Sequence, residues 1–208
     1  MFGPRAPLTA GTASQLAADA KARVALLVEG WSDQAAVETL AKRRGRDLRV
    51  EGLLVVPIGG VTNLGHFIDA LGGRGLGLAL AGLYDAGEER HVLRSLERCG
   101  LGSGLTRAAA QALGFFVCDA DLEDELIRAL GSPAVERLIE AQGELASFRR
   151  FQAQPFQQMQ DHHAHLRRFM GTRAGRKIRY GALLVDALAL DRVPHALDLA
   201  LAFARARA

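Results

Sequence analysis

The stretch VALLVEG, at residues 24–30, is a short apolar run that ends on an acid and a glycine. Two later stretches follow the same plan, LALAGLYD at residues 78–85 and GFFVCD at residues 114–119. Short, uninterrupted apolar runs are typical of strands buried on both faces, as in parallel sheets. Because parallel strands place their carboxyl ends at one edge of the sheet, we expect Glu29, Asp85 and Asp119 to converge there.

Carboxylates gathered at one edge repel one another and resist ionisation unless a cation neutralises them. Their hard oxygen atoms suit Mg²⁺ or Mn²⁺. The sequence therefore predicts a divalent metal site at this edge of the sheet.

Strand and helix patterns alternate up to residue 130. The expected strands cover residues 23–29, 52–57, 78–84 and 114–118, with helices over residues 32–43, 62–71 and 88–98 and Ser32 as the cap of the first helix. The alternation predicts an α/β fold, with a parallel sheet of about four strands flanked by helices on both faces.

The second half of the chain has helical patterns only, from residue 122 through residue 130, again after Pro133, and over residues 174–190 and 194–206. We expect three parts. They are a flexible N-terminal arm over residues 1–20 with a short helix at residues 13–20, an α/β domain over residues 21–130, and a C-terminal helical annex over residues 131–208 that completes the same domain.

The composition, with 49% hydrophobic and 24% charged residues among 208, is that of a soluble protein with one good core. No apolar stretch reaches the roughly 18 to 20 residues that cross a bilayer, and no signal peptide pattern opens the chain. We therefore expect a cytoplasmic protein without a membrane partner. Cys99 and Cys118 form no CxxC pair and are expected to be plain thiols.

The net charge is only +3, but cationic residues crowd the second half of the chain. They include Arg149, Arg150, Arg167, Arg168, Arg173, Arg176, Lys177 and Arg179. Such local basic surfaces suit a polyanion lying across a metal centre, although a solvated helical surface explains each of them as well.

The first apolar run continues into Gly30, Ser32 and Asp33. Asp33 falls in the first turn of the expected helix, close enough to point at the same place as Glu29. Alternatively, Asp33 only stabilises the helix N-terminus and Glu29 is an exposed loop acid. Asp85 has a similar setting, where Glu88 and Glu89 could complement a helix dipole.

Residues 119–125 hold five acids in seven positions. We expect Asp121 to cap a helix, with Asp124 completing a pair that resembles a capping box. Glu123 is the favoured metal ligand or ligand support here, followed by Asp119.

Several motifs occur in a characteristic order. They are Val28-Glu29-Gly30-x-Ser32-Asp33, Val56-Pro57-x-Gly59-Gly60, Asp85 after the third strand, Asp121-Leu122-Glu123-Asp124-Glu125-Leu126 at a helix start, and the late Lys177. Together they resemble a Toprim domain, and more narrowly the Toprim nuclease half of the OLD (overcoming lysogenization defect) family. The resemblance covers roughly residues 23–190.

The resemblance implies an endonuclease that cuts nucleic acid with two divalent ions, which clamp the attacking and leaving oxygens. Glu29, itself implied to be catalytic, would hold one ion with Asp33. Asp85 and Glu123 would hold the other or bridge the two. Lys177 would stabilise the charge that develops on the phosphate.

Nucleic acid is the expected partner, DNA before RNA. Gly59 and Gly60 could let the backbone approach a phosphate, although a plain turn explains them nearly as well. Arg173, Arg176 and Arg179, which surround Lys177, are the expected phosphate contacts.

The sequence departs from the family pattern in two places, and these departures leave a second function open. The usual Asp-x-Asp of Toprim domains is here Asp85-Ala86-Gly87, with Glu88 one place further on. In addition, no Gly-x4-Gly-Lys-Ser/Thr phosphate loop occurs, so an ATPase would be a separate chain or absent. The alternative is a catalytically weakened Toprim module that binds nucleic acid or a separate ATPase partner. Oligomerisation is left open.

Two other interpretations are disfavoured. The group His162-His163-x-His165 suggests zinc, but no spaced cysteine or carboxylate partner accompanies it. A receiver-like signalling domain also gathers acids at strand ends, but its lysine should follow a further parallel strand. Here Lys177 lies in the helical pattern over residues 174–190.

Overall fold

The computed structural model describes residues 7–157 and 159–208. Its centre is a four-stranded sheet in the order β2-β1-β3-β4. The strands are β1 (Val24–Val28), β2 (Leu53–Pro57), β3 (Ala79–Asp85) and β4 (Phe115–Cys118). All neighbouring strands run parallel, with β1 paired to both β2 and β3, and β3 paired to β4. The expected parallel sheet is confirmed.

Helices connect the strands and form the second half of the chain. They are α1 (Ala10–Asp19), α2 (Trp31–Arg43), α3 (Leu64–Leu71), α4 (Glu89–Arg98), α5 (Arg107–Ala112), α6 (Leu122–Leu130), α7 (Ser132–Ala141), α8 (Leu145–Gln152), α9 (His162–Gly171), α10 (Ala174–Ala187) and α11 (His195–Arg205). Short 3₁₀ turns lie at Val61–Asn63, Ala86–Glu88, Pro155–Gln157 and Leu190–Arg192. None of the helices described is long and apolar enough to cross a membrane.

The sheet separates two hydrophobic cores because successive side chains of a strand point to opposite faces. Leu26 of β1 lies in the core that also contains buried residues of α2, α6, α7, α9, α10 and α11. Its neighbour Leu27 lies in the other core, with buried residues of α1, α3, α4 and α5. Helices therefore cover both faces, as expected.

The C-terminal helices pack onto the rest of the chain. Helix α10 lies along α2, and α11 lies against β3 and β4. Each of them contributes fully buried side chains to the same core as α2, including Leu184 and Leu197. The first turn of α10 is consequently held close to the start of α2.

Three local expectations differ from the structure. Helix α2 begins at Trp31 with Gly30 as its cap, because the Asp33 carboxylate accepts the Gly30 N–H at 2.8 Å, so Ser32 lies inside the first turn. The helix expected over residues 62–71 begins as a 3₁₀ turn. In the expected flexible arm, residues 1–6 lie outside the described residues, while α1 packs its buried Ala13 and Ala17 into the core beside α3.

Candidate metal centre

Glu29 and Asp85 meet at the carboxyl edge of the sheet. Glu29 directly follows β1 and Asp85 ends the neighbouring β3. Glu29 and Asp85 line the same small pocket. Burial raises the pKa of Asp85 to about 8, and the charges of Glu29, Asp33 and Asp121 add to the effect. The two strand-end acids therefore share one place, as their positions in sequence predicted.

Asp33 joins this group from the first turn of α2. Its Oδ2 accepts the Gly30 N–H at 2.8 Å, which fixes the carboxylate beside the end of β1. Burial raises the pKa of Asp33 to about 7, helped by the charges of Glu123 and Glu29 and opposed by Lys177. The helix-start position predicted from the sequence therefore brings Asp33 to the cluster.

Glu123 enters the group from the first turn of α6 and is buried. Its Oε2 lies 3.2 Å from the Nζ of Lys177. Its Oε1 is buried and has no hydrogen-bond partner within the described part of the chain. Burial raises the pKa of Glu123, while the charge of Lys177 opposes the shift. An unsatisfied buried carboxylate oxygen is costly, so this atom is suited to a cation.

Lys177 reaches the acids from α10, with 48% of its side chain exposed. Burial alone would lower the pKa of Lys177, but the nearby charges of Glu123 and Asp33 raise it overall. The ammonium group is therefore positively charged at neutral pH. The ammonium group can therefore contact the acids while it remains accessible to solvent.

Asp119 does not join the group, and this expectation is corrected. The residue follows the edge strand β4, and the chain turns at Ala120, which has a positive φ of 69°. The Asp119 side chain is 85% exposed and lies 3.4 Å from Arg128. Because of this turn, the carboxylate leaves the sheet edge towards solvent.

Asp121 takes part instead, although only a capping role was expected for it. As expected, its Oδ1 accepts the Asp124 N–H at 2.7 Å and caps α6. Its Oδ2 also accepts a hydrogen bond from the Nε of Arg167 at 2.7 Å. The charge of Asp121 raises the pKa of both Asp85 and Glu123. No local signal points to Arg167, which lies on α9.

Gly59 and Gly60 form a turn beside Glu29. Both have positive φ, 72° and 110°, a conformation that favours glycine. Their N–H groups donate to the Glu29 carbonyl oxygen over 3.0 Å and 3.3 Å. The structure thus assigns these N–H groups to holding the Glu29 backbone, and they are not available to a phosphate.

Arg176 is not placed to contact a phosphate, which corrects a second expectation. Its side chain is only 5% exposed, and its Nε and Nη2 each lie 3.1 Å from Oε1 of Glu144. Arg179 donates to Oε2 of the same carboxylate at 2.7 Å. Glu144, at the start of α8, therefore binds both arginines and holds α10 in place. Arg173 differs, because it is exposed and has no ion pair among the described residues.

Comparison with known proteins supports the family. Residues 22–86 match the model of the overcoming lysogenization defect protein-like TOPRIM domain. These residues are therefore similar to an OLD-like Toprim domain. The segment includes β1, α2, β2, α3 and β3, and hence Glu29, Asp33 and Asp85. No curated protein matches the chain.

The Toprim fold extends beyond the matched segment. The C-terminal region of the Burkholderia pseudomallei OLD protein is similar with a TM-score of 0.69 and 21% identity, covering 89% of this chain and 98% of that one. The C-terminal region of the Xanthomonas campestris pv. campestris OLD protein gives a TM-score of 0.69 and 24% identity, covering 89% and 93%. The fold, including the C-terminal helices, is therefore that of OLD C-terminal regions.

The Toprim domain lacks the second carboxylate of Asp-x-Asp, and Glu88 lies nearest to that position. A 3₁₀ turn, Ala86–Glu88, follows Asp85 directly. Glu88 lines a small pocket of about 20 Å³ together with Glu29 and Asp85. Glu88 therefore borders the same space as Glu29 and Asp85, one residue beyond the usual position of the second acid.

The Toprim acids fit a divalent cation in chemistry. Among the described residues, no three or more histidine, cysteine, aspartate or glutamate side chains are arranged to hold a metal ion. Two of the acids instead pair with cationic side chains, Glu123 with Lys177 and Asp121 with Arg167. The unpartnered Oε1 of Glu123 and the raised pKa of Asp33 and Asp85 show a cluster short of positive charge.

The histidines of the α9 region do not form a zinc site with one another in the structure. His162 Nε2 lies 2.9 Å from Glu136, and His163 Nε2 lies 2.6 Å from Asp124. His165 bonds to a backbone carbonyl. The Nε2 atom of each ring therefore has its own partner, while the Nδ1 atoms of His162 and His165 both contact Nε2 of Gln152.

Proposed function

We propose that the chain is a metal-dependent nuclease, or a related phosphoryl-transfer enzyme, that cuts nucleic acid phosphodiesters with two Mg²⁺ or Mn²⁺ ions. The observation that supports it is the meeting of Glu29, Asp33, Asp85 and Glu123 from separate elements, with Lys177 beside them. Carboxylates whose charges raise the pKa of neighbouring acids are the ligands that a hard cation stabilises.

Glu29 and Asp33 would hold one ion, and Asp85 and Glu123 the other or a bridge between the two. Bound ions would activate the attacking oxygen and neutralise the leaving oxygen in an in-line displacement. Gly30 holds Asp33 through its N–H, and Gly59 and Gly60 hold the Glu29 backbone, so two acids are oriented before any ion binds. Lys177, kept protonated by Glu123, would stabilise negative charge on the phosphate oxygens.

DNA is the proposed substrate, and Arg173 is a proposed phosphate contact. Arg173 immediately precedes α10 and is exposed, one turn before Lys177. Its side chain is therefore accessible to a phosphate near the start of α10. A separate ATPase chain and self-association are further proposed partnerships, suggested by the OLD resemblance.

The test is nicking of supercoiled plasmid with Mg²⁺ or Mn²⁺. Glu29→Ala and Asp85→Ala should abolish nicking while their melting temperatures stay near that of the wild type. Asp191→Ala is the matched control, because it also removes one carboxylate, from an exposed turn between α10 and α11. The proposal is wrong if the purified wild-type chain cuts neither DNA nor RNA with any divalent metal.

A weakened Toprim module is the second candidate. Asp85-Ala86-Gly87 offers a single carboxylate where Asp-x-Asp has two. If this loss abolishes cleavage, the chain would bind nucleic acid or an ATPase partner without cutting. Binding would then persist in Glu29→Ala and weaken steeply with salt. Such a result, combined with no nicking by the wild type, would favour the module over the enzyme.

A further inference from the structure

A cleft of about 590 Å³ opens beside the metal centre, among the start of α6, helix α9 and the first turn of α10. Its lining includes Glu123 and Lys177 of the metal centre. Arg167 and Arg168 of α9 also line it. The cleft is therefore a route from the surface of the helical annex to the acids.

The charges of the cleft leave an excess of positive charge. Asp121 is paired with Arg167, and Glu123 is paired with Lys177. Arg168 is exposed and has no ion pair or hydrogen bond within the described residues. Two acids are thus balanced by two cations, and a third cation is free to meet an anion. A groove with positive charge along it suits the phosphates of a nucleic acid strand.

The lining also indicates which part of a strand would be contacted. No aromatic residue is among the described residues that line the cleft, so the cleft has no platform for stacking bases. Contacts that cationic side chains make to phosphates carry no base information. Binding here would therefore be independent of sequence.

Gly171, the last residue of α9, lines the cleft. A Cβ added there would meet no heavy atom within 4 Å. A side chain at this position would therefore project into open space, without strain in the folded chain. This makes Gly171 a site at which the cleft can be filled at little cost to stability.

We infer that this cleft, between α9 and α10, binds the phosphate backbone of a nucleic acid strand through Arg168 and leads that strand to the metal centre. The inference rests on the proposed function and adds the path of the substrate. It also adds the exposed Arg168 to Arg173 as a phosphate contact, in place of Arg176, which is buried.

The experiment measures binding of a short fluorescein-labelled DNA oligonucleotide by fluorescence anisotropy. The oligonucleotide is tested as a single strand and as a duplex, with Ca²⁺ in place of Mg²⁺. Gly171→Glu should weaken binding by at least about tenfold, because it places a negative charge in the path. Gly171→Ala should bind as the wild type does. Gly73→Glu is the matched control, since a Cβ there also meets nothing within 4 Å and the residue follows α3 on the other face of the sheet.

Arg168→Ala provides the second arm. It should lower the slope of log affinity against log salt by about 1, as expected for one lost phosphate contact. Arg94→Ala, on the exposed side of α4, should leave the slope unchanged.

The outcomes separate the two proposals. If the wild type neither binds nor cuts nucleic acid, the proposed function fails. If the wild type binds and cuts DNA, but Gly171→Glu and Arg168→Ala behave like their controls, the path through the cleft is overturned and the proposed function stands.

Discussion

Gly181 of α10 lies directly against the backbone of Ser32 at the start of α2. A Cβ added at Gly181 would approach the Ser32 carbonyl oxygen to 2.5 Å, a distance that real Cβ atoms essentially never show. Lys177 is one helical turn before Gly181, and Asp33 follows Ser32. This contact between two backbones therefore sets the position of the lysine relative to the acids.

Gly181→Ala should destabilise the protein by about 1–3 kcal/mol, because α10 must move away from α2. The gain in helix propensity from alanine is smaller than this cost. Thermal unfolding measures the change, and Gly171→Ala is the control, since its Cβ meets nothing within 4 Å. Equal melting temperatures for the two variants would show that α10 can move away from α2 without a loss of stability, and would contradict the prediction.

Without metal, the protein should lose stability as the pH rises. The pKa of Asp85 is raised to about 8 and that of Asp33 to about 7, both from an ordinary 3.8, by burial and neighbouring carboxylates. The folded state therefore holds more protons than the unfolded chain. This contribution is complete below the ordinary pKa and is lost as the pH rises through the folded pKa values.

The melting temperature in EDTA should accordingly fall from about pH 4, near the ordinary pKa of both groups, to about pH 8, the folded pKa of Asp85, and level off above that. Asp85→Asn removes one of the two groups and should flatten the curve, whereas Asp191→Asn should leave it unchanged. Mg²⁺ should restore stability at the alkaline end if the acids bind it. A wild-type curve as flat as that of Asp85→Asn would contradict the raised pKa.

The strands were predictable from the sequence because each is a continuous apolar run, and the predicted bounds agree within one or two residues. Glu29 and Asp85 were predictable for the same reason, since adjacent parallel strands end side by side. Asp119 follows a strand as well, but the backbone turns at Ala120 with a positive φ. An acid at a strand end joins the other acids only if the chain continues along the edge of the sheet. The turn at Ala120 that prevents this for Asp119 is not evident from the composition.

The functions of the arginines were less predictable, because a sequence shows charge but not its partner. Arg176 and Arg173 look equivalent beside Lys177, yet only Arg176 reaches Glu144, which lies 32 residues away in the chain. Asp121 likewise fitted a capping role completely, which concealed its second bond to Arg167. Both relationships depend on how α8 and α9 pack, and helical periodicity does not specify that packing.

Arg176→Ala should lower stability by roughly 3 kcal/mol, because Arg176 is buried and its loss leaves the Oε1 of Glu144 without its partner. The melting temperature should then fall by roughly 5–10 °C. Arg173→Ala is the matched variant: it should melt within about 1 °C of the wild type, because its side chain is exposed and unpaired among the described residues. The same melting temperature for both variants would refute the structural role of Arg176.

Lys177→Ala should separate stabilisation of the phosphate from the binding of metal. Loss of the ammonium group should reduce plasmid nicking by about 10²–10³-fold, as for other groups that stabilise developing charge. Binding of Mn²⁺, measured by calorimetry, should be no weaker than in the wild type, because Lys177 competes with a cation for Glu123 at 3.2 Å. Glu123→Ala should instead weaken both nicking and Mn²⁺ binding. If Lys177→Ala nicks DNA as fast as the wild type, the lysine only neutralises Glu123 in the metal-free protein and has no part in the reaction.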